Sequence, residues 1–331
     1  MKRSSLITLV LLTTFAFAAP AQASWIWSPD IGKWINPRSA AKDTPEEQYD
    51  WALQFLDKKD WDRAIEEFEK LTDAFPTSRL AAEAEYYLGT AWEAKDDMAK
   101  AADAYQRLID KYPYSDRIKD AIKREFEIAN QFASGGKVKM LGVAVLPGQD
   151  KAVELYNHII KNAPFGIHGD QAQFKLGELY KSQGEYELAQ KAFQQVVDEY
   201  PNSELVPRAK YEIANSSMLA ANKGQYDEKH AEKAIEEFKD FKTTFPANTQ
   251  GVLADESIKQ IRVEKAQRSF GVASFYESQK KWKSARTYYE EVIRNYPETP
   301  SAAEARKRIE SLADKEAGKA GGINIKKILP W

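Results

Sequence analysis

One hydrophobic pattern occurs six times along the chain. An alanine is followed four residues later by an aromatic residue, three later by a large apolar residue, and five later by a proline. Spacings of four and three place these side chains on one stripe of a helix, and the proline ends that helix. The copies are Ala64-Phe68-Leu71-Pro76, Ala101-Tyr105-Leu108-Pro113, Ala152-Tyr156-Ile159-Pro164, Ala189-Phe193-Val196-Pro201, Ala234-Phe238-Phe241-Pro246 and Ala285-Tyr289-Val292-Pro297.

A second predicted helix precedes each copy and carries a large apolar residue followed by a small one. The small side chain would let the paired helix approach closely. These dipeptides are Trp51-Ala52, Leu88-Gly89, Ile128-Ala129, Leu176-Gly177, Ile213-Ala214 and Val272-Ala273. The small residue and the next alanine are 12 residues apart in four copies, but 23 and 20 apart in copies three and five. We therefore expect insertions of 11 and 8 residues in those two helix-to-helix turns.

The arrangement resembles the tetratricopeptide repeat, a helix-turn-helix unit of ~34 residues. Gly89, Ala101, Tyr105 and Pro113 occupy the small, small, aromatic and proline positions of that family. The resemblance implies an all-α fold, a right-handed superhelical solenoid of about six helix pairs over residues 42–313. Two further elements are expected within it, a lengthened first helix in the last pair over Val252 to Arg268 and a C-terminal capping helix over Ser301 to Ala313. One departure is that the aromatic expected four residues before the glycine is polar here, Glu85 and Gln173.

The composition narrows the classes of function. The chain has 48 Lys and Arg residues against 50 Asp and Glu residues, so the overall charge gives no argument for nucleic acid or an acidic membrane. It has no cysteine, which excludes disulfides, thiolate zinc sites and cysteine nucleophiles. His158, His168 and His230 lack ligand-like spacing and are interpreted as surface or helix residues. No phosphate loop or His-Glu-x-x-His motif occurs, so we expect a protein that is not an enzyme and uses no metal or cofactor.

The first residues predict export. Residues 1–3 are Met-Lys-Arg, residues 6–19 are apolar, and residues 21–23 read Ala-Gln-Ala, a small-x-small cleavage pattern. A signal peptide over 1–23 and a mature chain beginning at Ser24 are expected, with a retained anchor helix as the alternative. The protein would then be periplasmic.

An aromatic residue stands three positions before every small residue of the first helices. Two interpretations are open, because residues at i and i+3 are neighbours on a helix. The rings could fill the core beside the small residue, or they could line a concave groove that binds an extended peptide of alternating apolar or aromatic side chains. The six groove candidates are Tyr49, Tyr86, Phe126, Phe174, Tyr211 and Phe270.

The insertion in the third copy, residues 135–149, reads as an apolar loop bracketed by glycines. An exposed apolar loop is unusual and would be a docking element for a partner. The alternative is that it folds back onto its own helices. The candidates for partner contact are Leu141, Val143, Val145 and Leu146.

Both ends carry short segments outside the repeats. The N-terminal arm, residues 24–41, is expected to form a small hairpin or an extended arm. The tail, residues 314–331, is expected to be flexible and ends in INIKKILPW, either a partner-binding peptide or a disordered terminus. The docking candidates in these segments are Trp25, Trp27, Trp34 and Trp331.

Three repeats end in similar short motifs, which point to a more specific family: Lys111-Tyr-Pro-Tyr-Ser115, Glu199-Tyr-Pro-Asn-Ser203 and Asn295-Tyr-Pro-Glu-Thr299. Together with the long helix before Ala273, they resemble the BamD family of outer-membrane assembly components. The resemblance implies a protein at the inner face of the outer membrane that helps insert β-barrel proteins. Its N-terminal repeats would bind C-terminal strand signals of unfolded outer-membrane proteins, and its C-terminal repeats would bind the barrel-insertion machinery.

The sequence departs from that family in how it would attach to the membrane. Members of the family are lipid-anchored through a cysteine after the signal peptide. Without a cysteine, the chain would be held to the membrane through partners only, or would belong to a soluble sister branch. Two other functions stay open. One is a periplasmic tetratricopeptide adaptor for the cell envelope or division, similar to the Tol-Pal coordinating proteins, and the other is an accessory lid for an envelope polysaccharide enzyme.

Overall fold

The computed structural model describes residues 26–28, 33–35, 40–140, 143–223 and 227–320. The chain forms two compact units, the first ending at Asp96 and the second beginning at Asp97. The predicted signal peptide, residues 1–23, lies outside the described residues. Among the helices that are described, none is both long and apolar enough to cross a membrane.

In the residues that the structure describes, the first unit contains a short hairpin and three helices. Strands β1 (Ile26–Ser28) and β2 (Lys33–Ile35) pair antiparallel, with Trp27 opposite Trp34. Of the two forms expected for the N-terminal arm, these six residues adopt the hairpin. The helices are α1 (Pro45–Asp57), α2 (Trp61–Ala74) and α3 (Arg79–Ala94). Thr44 caps α1, because its hydroxyl accepts a hydrogen bond from the backbone N–H of Glu47 at 3.2 Å.

The second unit consists of ten helices and one hairpin within its described residues. In chain order these are α4 (Met98–Lys111), α5 (Ile118–Ala133), β3 (Lys137–Met140), β4 (Val143–Pro147), α6 (Gln149–Asn162), α7 (Gly169–Ser182), α8 (Tyr186–Glu199), α9 (Val206–Ala221), α10 (Glu228–Thr244), α11 (Gly251–Ser278), α12 (Trp282–Asn295) and α13 (Pro300–Ala320). From α4 to α13, each helix packs on the next. The predicted all-α tetratricopeptide fold is confirmed, and α11 contains the lengthened first helix expected over Val252 to Arg268.

The repeated pattern forms the core. In all six copies, the alanine, the aromatic and the large apolar residue of the second helix are at most 1% exposed. The small residue of each first helix is also buried. At Gly177 the need for a small residue is steric, because a Cβ there would lie 2.6 Å from Cε1 of Phe193. Burying a large apolar side chain contributes ~2 kcal/mol relative to leaving it exposed, so the aromatic and large apolar residues of this stripe contribute substantially to stability.

The second helices end as the prolines predict. Each ends two residues before its proline, and the residue between them, for example Tyr112 or Tyr200, leaves the helical region with ψ near 55°. This follows from the clash of a proline ring with the preceding residue in helical conformation. The prolines therefore set one common end for the second helices of the repeats.

A short turn with one left-handed residue joins the two helices in copies one, two, four and six. The left-handed residues are Lys59, Asp96, Gly184 and Lys280, with φ between 57° and 75°. Only one of them is glycine, the residue that adopts this conformation without steric cost. Copies three and five carry their predicted insertions at this position.

The insertion of copy three is a β-hairpin and not the apolar loop that the sequence predicts. β3 and β4 pair antiparallel with an irregularity between Val138 and Lys139. Its base is closed by a hydrogen bond from the N–H of Gly148 to the carbonyl of Gly136, at 3.0 Å. A Cβ on Gly148 would lie 2.4 Å from Cδ1 of Phe132, so the base is packed directly on the end of α5.

The last helix is longer than predicted. We expected a capping helix ending at Ala313 and a flexible tail from residue 314, but α13 continues to Ala320. Residues 314–320 read DKEAGKA, which contains no proline and, apart from Asp314 and Gly318, only good helix formers, so the helix can continue through them. Residues 321–331 lie outside the described residues.

Candidate functional site

First helices α5 and α7 of the second unit border a groove with a volume of about 500 Å³. Its floor includes Tyr156 from the second helix α6. Five polar side chains lie along its walls, Asn130, Ser134, Lys175, Glu178 and Ser182, with Ala133 and Leu179 between them. A groove lined in this way can offer hydrogen-bond donors and acceptors to an extended chain.

The floor of the groove is fixed by one hydrogen bond between helices. The hydroxyl of Tyr156 donates to Oδ1 of Asn130 at 2.8 Å, which joins α6 to α5. Burial raises the pKa of Tyr156, and the nearby charge of Glu178 acts in the same direction, so the hydroxyl stays a donor at neutral pH. Asn130 is thereby held in place with its side-chain amide at the groove.

Beside the groove, ion pairs connect α7 to α9. Glu178 accepts hydrogen bonds from Lys175 at 2.7 Å and from Arg208 at 2.5 Å. Lys181 of α7 bonds Glu212 of α9 in the same way. The charges therefore tie neighbouring first helices together, and a ligand in the groove would meet both signs of charge.

Most of the six predicted groove aromatics contact the buried aromatic ring of the following second helix. The centroid distances are 6.1 Å for Tyr49–Phe68, 6.1 Å for Phe126–Tyr156, 5.1 Å for Phe174–Phe193, 5.5 Å for Tyr211–Phe238 and 5.1 Å for Phe270–Tyr289. Tyr86 lies 5.8 Å from the ring of Tyr87. Phe174 is only 2% exposed, whereas the other five are partly exposed. Ligand binding by these rings stays a prediction.

The polar position that departs from the tetratricopeptide pattern is buried and bonded to the paired helix. Nε2 of Gln48 donates to the carbonyl of Glu67 at 2.8 Å, and Nε2 of Gln173 donates to the carbonyl of Ala192 at 3.0 Å. In each of these two repeats, the bonded residues are 19 positions apart along the chain. An amide at this position thus replaces ring packing with a hydrogen bond across the pair.

In copy three the equivalent position is Glu125, whose side chain is fully buried. Nδ1 of His158 lies 2.8 Å from Oε1 and 3.0 Å from Oε2 of Glu125, and Nε2 lies 3.2 Å from Oδ1 of Asp110. Burial raises the pKa of Glu125. Burial also acts to lower the pKa of His158, but the bonds and charges of Glu125 and Asp110 outweigh it and raise that pKa.

His158 was expected to be a surface or helix residue, and it lies on α6 with its side chain largely covered between α4 and α5. No spacing in the sequence signals this cluster, because its partners are 33 and 48 residues away. Within the described residues, no group of three or more His, Asp or Glu side chains is arranged to hold a metal ion.

The docking candidates outside the helices are partly described. Val143 and Leu146 of β4 and Trp27 of β1 are exposed. Val145 and Trp34 belong to strands β4 and β2. Trp25, Leu141 and Trp331 lie outside the described residues. Partner contact at these positions stays a prediction.

Solved structures with a similar repeat arrangement share little sequence. A tetratricopeptide repeat protein from Parabacteroides merdae is 17% identical, covering 86% of this chain and 95% of that one, with a TM-score of 0.32. YrrB, described as a TPR protein with an unusual peptide-binding site, is 14% identical, covering 63% and 90%, with a TM-score of 0.34. PilW, a type IV pilus biogenesis factor, is 14% identical, covering 80% and 99%, with a TM-score of 0.29. At these low TM-scores we draw no functional argument from the three structures.

Two protein families match the sequence. The tetratricopeptide repeat family matches residues 49–116. The YfiO family, described as outer membrane lipoprotein, matches residues 149–318, just over half of the chain. No curated protein matches. The YfiO match confirms the resemblance to the BamD family and identifies a scaffold that binds proteins. The chain therefore belongs to the YfiO family of outer membrane lipoproteins.

Proposed function

We propose that this protein is a component of outer-membrane β-barrel assembly that acts in the periplasm, at the inner face of the outer membrane. The observation that carries this proposal is the YfiO match, which extends from the start of α6 into α13. It covers the three C-terminal helix pairs and the capping helix, and so includes one wall of the polar groove. Extended segments of unfolded outer-membrane proteins are the proposed ligands of that groove, and the barrel-insertion machinery is the proposed partner.

The groove suits an unfolded chain for a physical reason. An extended peptide exposes backbone N–H and C=O groups that need partners when they leave water. Asn130, Ser134 and Ser182 can supply such partners without demanding a particular side chain. Loose sequence demands are what a protein needs when it receives many different substrates.

Depletion of the protein tests the cellular role. We expect the amounts of several barrel proteins in the outer membrane to fall, measured by quantitative proteomics of the purified membrane. Normal barrel levels combined with filamentous or septation-defective cells would contradict the proposal and favour the division adaptor.

Binding of a synthetic peptide from the last strand of a barrel protein tests the groove. Asn130→Ala removes the amide at the groove and is expected to weaken binding about tenfold, the cost of one hydrogen bond in a desolvated site. Asn202→Ala is the matched control, because Asn202 is an exposed asparagine in the turn after α8. Equal affinities of the two variants would contradict the assignment of the groove.

Peptide binding by the aromatic groove candidates is tested separately with Phe126→Ala combined with Tyr211→Ala. If these partly exposed rings bind peptide, affinity falls while the melting temperature stays close to that of the unchanged protein. If they serve only the core, the melting temperature falls instead, because each ring packs on a buried aromatic residue.

A further inference from the structure

A second cavity lies at the inter-repeat turns of the second unit. The turn after α6 and the turn after α8 border a pocket of about 480 Å³, which we call the turn pocket. Asp170, on the first turn of α7, lines the turn pocket, whereas Ser182, the last residue of α7, lines the polar groove. The two cavities therefore lie at opposite ends of a helix that is ~20 Å long.

Two of the side chains that line the turn pocket are apolar and exposed. Phe165 is 90% exposed and Ile167 is 69% exposed, and both belong to the turn after α6. Single apolar residues on a surface are ordinary, but two that border the same concavity form the arrangement of a binding surface. The exposed ring of Phe165 can pack on an apolar group or on a cation.

The lining of the turn pocket is negatively charged. Asp170 and Glu199 belong to it, and no lysine, arginine or histidine does among the residues that the structure describes. The hydrogen bonds that these two carboxylates accept come from neutral groups, the N–H of Gln171, the hydroxyl of Ser203 and the side-chain amide of Gln195. Their charge is therefore not compensated by a cation of the pocket itself.

The charges next to the lining along the chain do not reverse this sign. Lys161, near the end of α6, is exposed, and so are Asp198 and Glu204 on either side of the turn after α8. They add two negative charges and one positive charge. Charge complementarity therefore favours a cationic ligand.

One hydroxyl of the turn pocket lacks a hydrogen-bond partner. Tyr200 lines the pocket, and its side-chain oxygen is buried with no partner in the described part of the chain. Burial raises the pKa of Tyr200, and the nearby charges of Glu199 and Asp170 act in the same direction, so the hydroxyl keeps its proton at neutral pH. Since buried hydroxyls are almost always hydrogen-bonded, we expect a polar group of a ligand to complete the pocket.

The walls of the turn pocket are held in place by contacts within the fold. The hydroxyl of Ser203 donates to Oδ2 of Asp170 at 2.5 Å, which ties the turn after α8 to α7. In the turn after α6, the ring of His168 stacks on that of Phe126 from α5, with centroids 4.6 Å apart. A pocket with fixed walls loses less conformational entropy when a ligand binds.

We propose that the turn pocket binds an arginine side chain that lies between apolar residues in an extended segment of a partner protein. The guanidinium donates hydrogen bonds to Asp170 and Glu199 and packs on the ring of Phe165, and an apolar neighbour of the arginine contacts Ile167. Arginine suits this pocket better than lysine, because its planar group can bond carboxylates and stack on an aromatic ring at the same time. The inference goes beyond the proposed function, since it assigns a second binding surface away from the groove.

Fluorescence anisotropy of a labelled peptide with the full chain tests the inference. The probe has the sequence ALRLA, and the matched control peptide carries citrulline in place of arginine, which keeps the shape and removes the charge. We expect the arginine peptide to bind about tenfold more tightly, because the control peptide cannot make charge-assisted hydrogen bonds. Added salt should weaken binding of the arginine peptide only.

Three variants locate the bound peptide. Glu199→Gln, Phe165→Ala and Tyr200→Phe should each weaken binding of the arginine peptide about threefold, a modest effect because the pocket is open to water. Glu204→Gln and Tyr114→Ala are the matched controls, because both residues are exposed outside the pocket, and these variants should bind like the unchanged protein. Tyr200→Phe removes a buried hydroxyl that has no partner, so its melting temperature should not fall.

Absence of binding by the unchanged protein would overturn the inference, as would equal affinities for the arginine and citrulline peptides. Binding that none of the three variants weakens would place the peptide elsewhere and would also overturn it. If the purified protein self-associates and Phe165→Ala abolishes this, the pocket is an interface between copies and the inference is wrong. The proposed function can fail separately, because barrel levels after depletion do not depend on this peptide.

Discussion

The buried pair of Glu125 and His158 leads to a specific prediction about stability. Replacing His158 by leucine removes the cationic partner of a carboxylate that has no exposure to solvent. Removing one member of a buried ion pair costs ~3–5 kcal/mol, because the remaining charge is left without a partner. Since the pKa of Glu125 is already raised, this carboxyl can take up a proton and recover part of that cost. We therefore expect a loss of about 2 kcal/mol in the free energy of unfolding.

A double-mutant cycle separates the pair from its surroundings. With Glu125→Leu added to His158→Leu, no buried charge remains, so the free energy of unfolding should return to within about 1 kcal/mol of the unchanged protein. Urea unfolding followed by circular dichroism at neutral pH measures all four proteins. If the costs of the two single changes simply add in the double variant, the two residues are not coupled and the assignment is refuted.

The pH dependence of the pair has a definite sign. Both pKa values are raised in the folded protein, so the folded state binds protons more tightly than the unfolded state at these two groups. The stabilisation from His158 is complete below its unfolded pKa of about 6.5 and is lost as the pH rises through its higher folded value. Asp110 and Gln106 from α4, Glu125 from α5 and Asn162 from α6 face this histidine or its partner. Unfolding free energies measured from pH 6 upward should fall, and His158→Leu should flatten that part of the profile; an unchanged slope would contradict the reasoning.

Three further changes test the packing. Gly177→Val should lower the free energy of unfolding by ~1–3 kcal/mol, because a Cβ at 2.6 Å from the ring of Phe193 forces the helices apart; an unchanged melting temperature would contradict the close approach. Gly271→Ala should raise the stability by ~0.5–1 kcal/mol in the same melts, since a Cβ there meets nothing within 4 Å and alanine favours the helix. Lys280→Gly should be stabilising by up to about 1 kcal/mol, because φ of 57° is costly for lysine; destabilisation in urea would show that the lysine side chain matters more than the backbone.

The helices of this protein could be predicted because one physical rule determines them. An alanine, an aromatic and an apolar residue at helical spacing must be buried together, and a proline must end the helix, so six copies predict the second helices and their ends. The close approach at Gly177 also follows from its size. The pattern is local in sequence, and local patterns can be read without a structure.

The parts that could not be predicted depend on distant residues or on a short signal. His158 meets Glu125 and Asp110 only after three helices have packed, and the polar position at Gln173 is explained by a carbonyl on the paired helix. The hairpin had a weak signal of its own: Lys137 to Met140 alternates polar and apolar residues, as a strand does. Without a two-residue turn motif such as Asn-Gly, that alternation was too short to be distinguished from a loop.

The closure at the base of the hairpin of β3 and β4 separates the inserted residues from the scaffold that carries them. The N–H of Gly148 reaches the carbonyl of Gly136, so the insertion returns the chain to the point where it left. Helices α5 and α6 consequently pack on each other as in a repeat without an insertion. This position can therefore receive a reporter peptide or a foreign loop of different length, with little effect on the packing of the neighbouring helices.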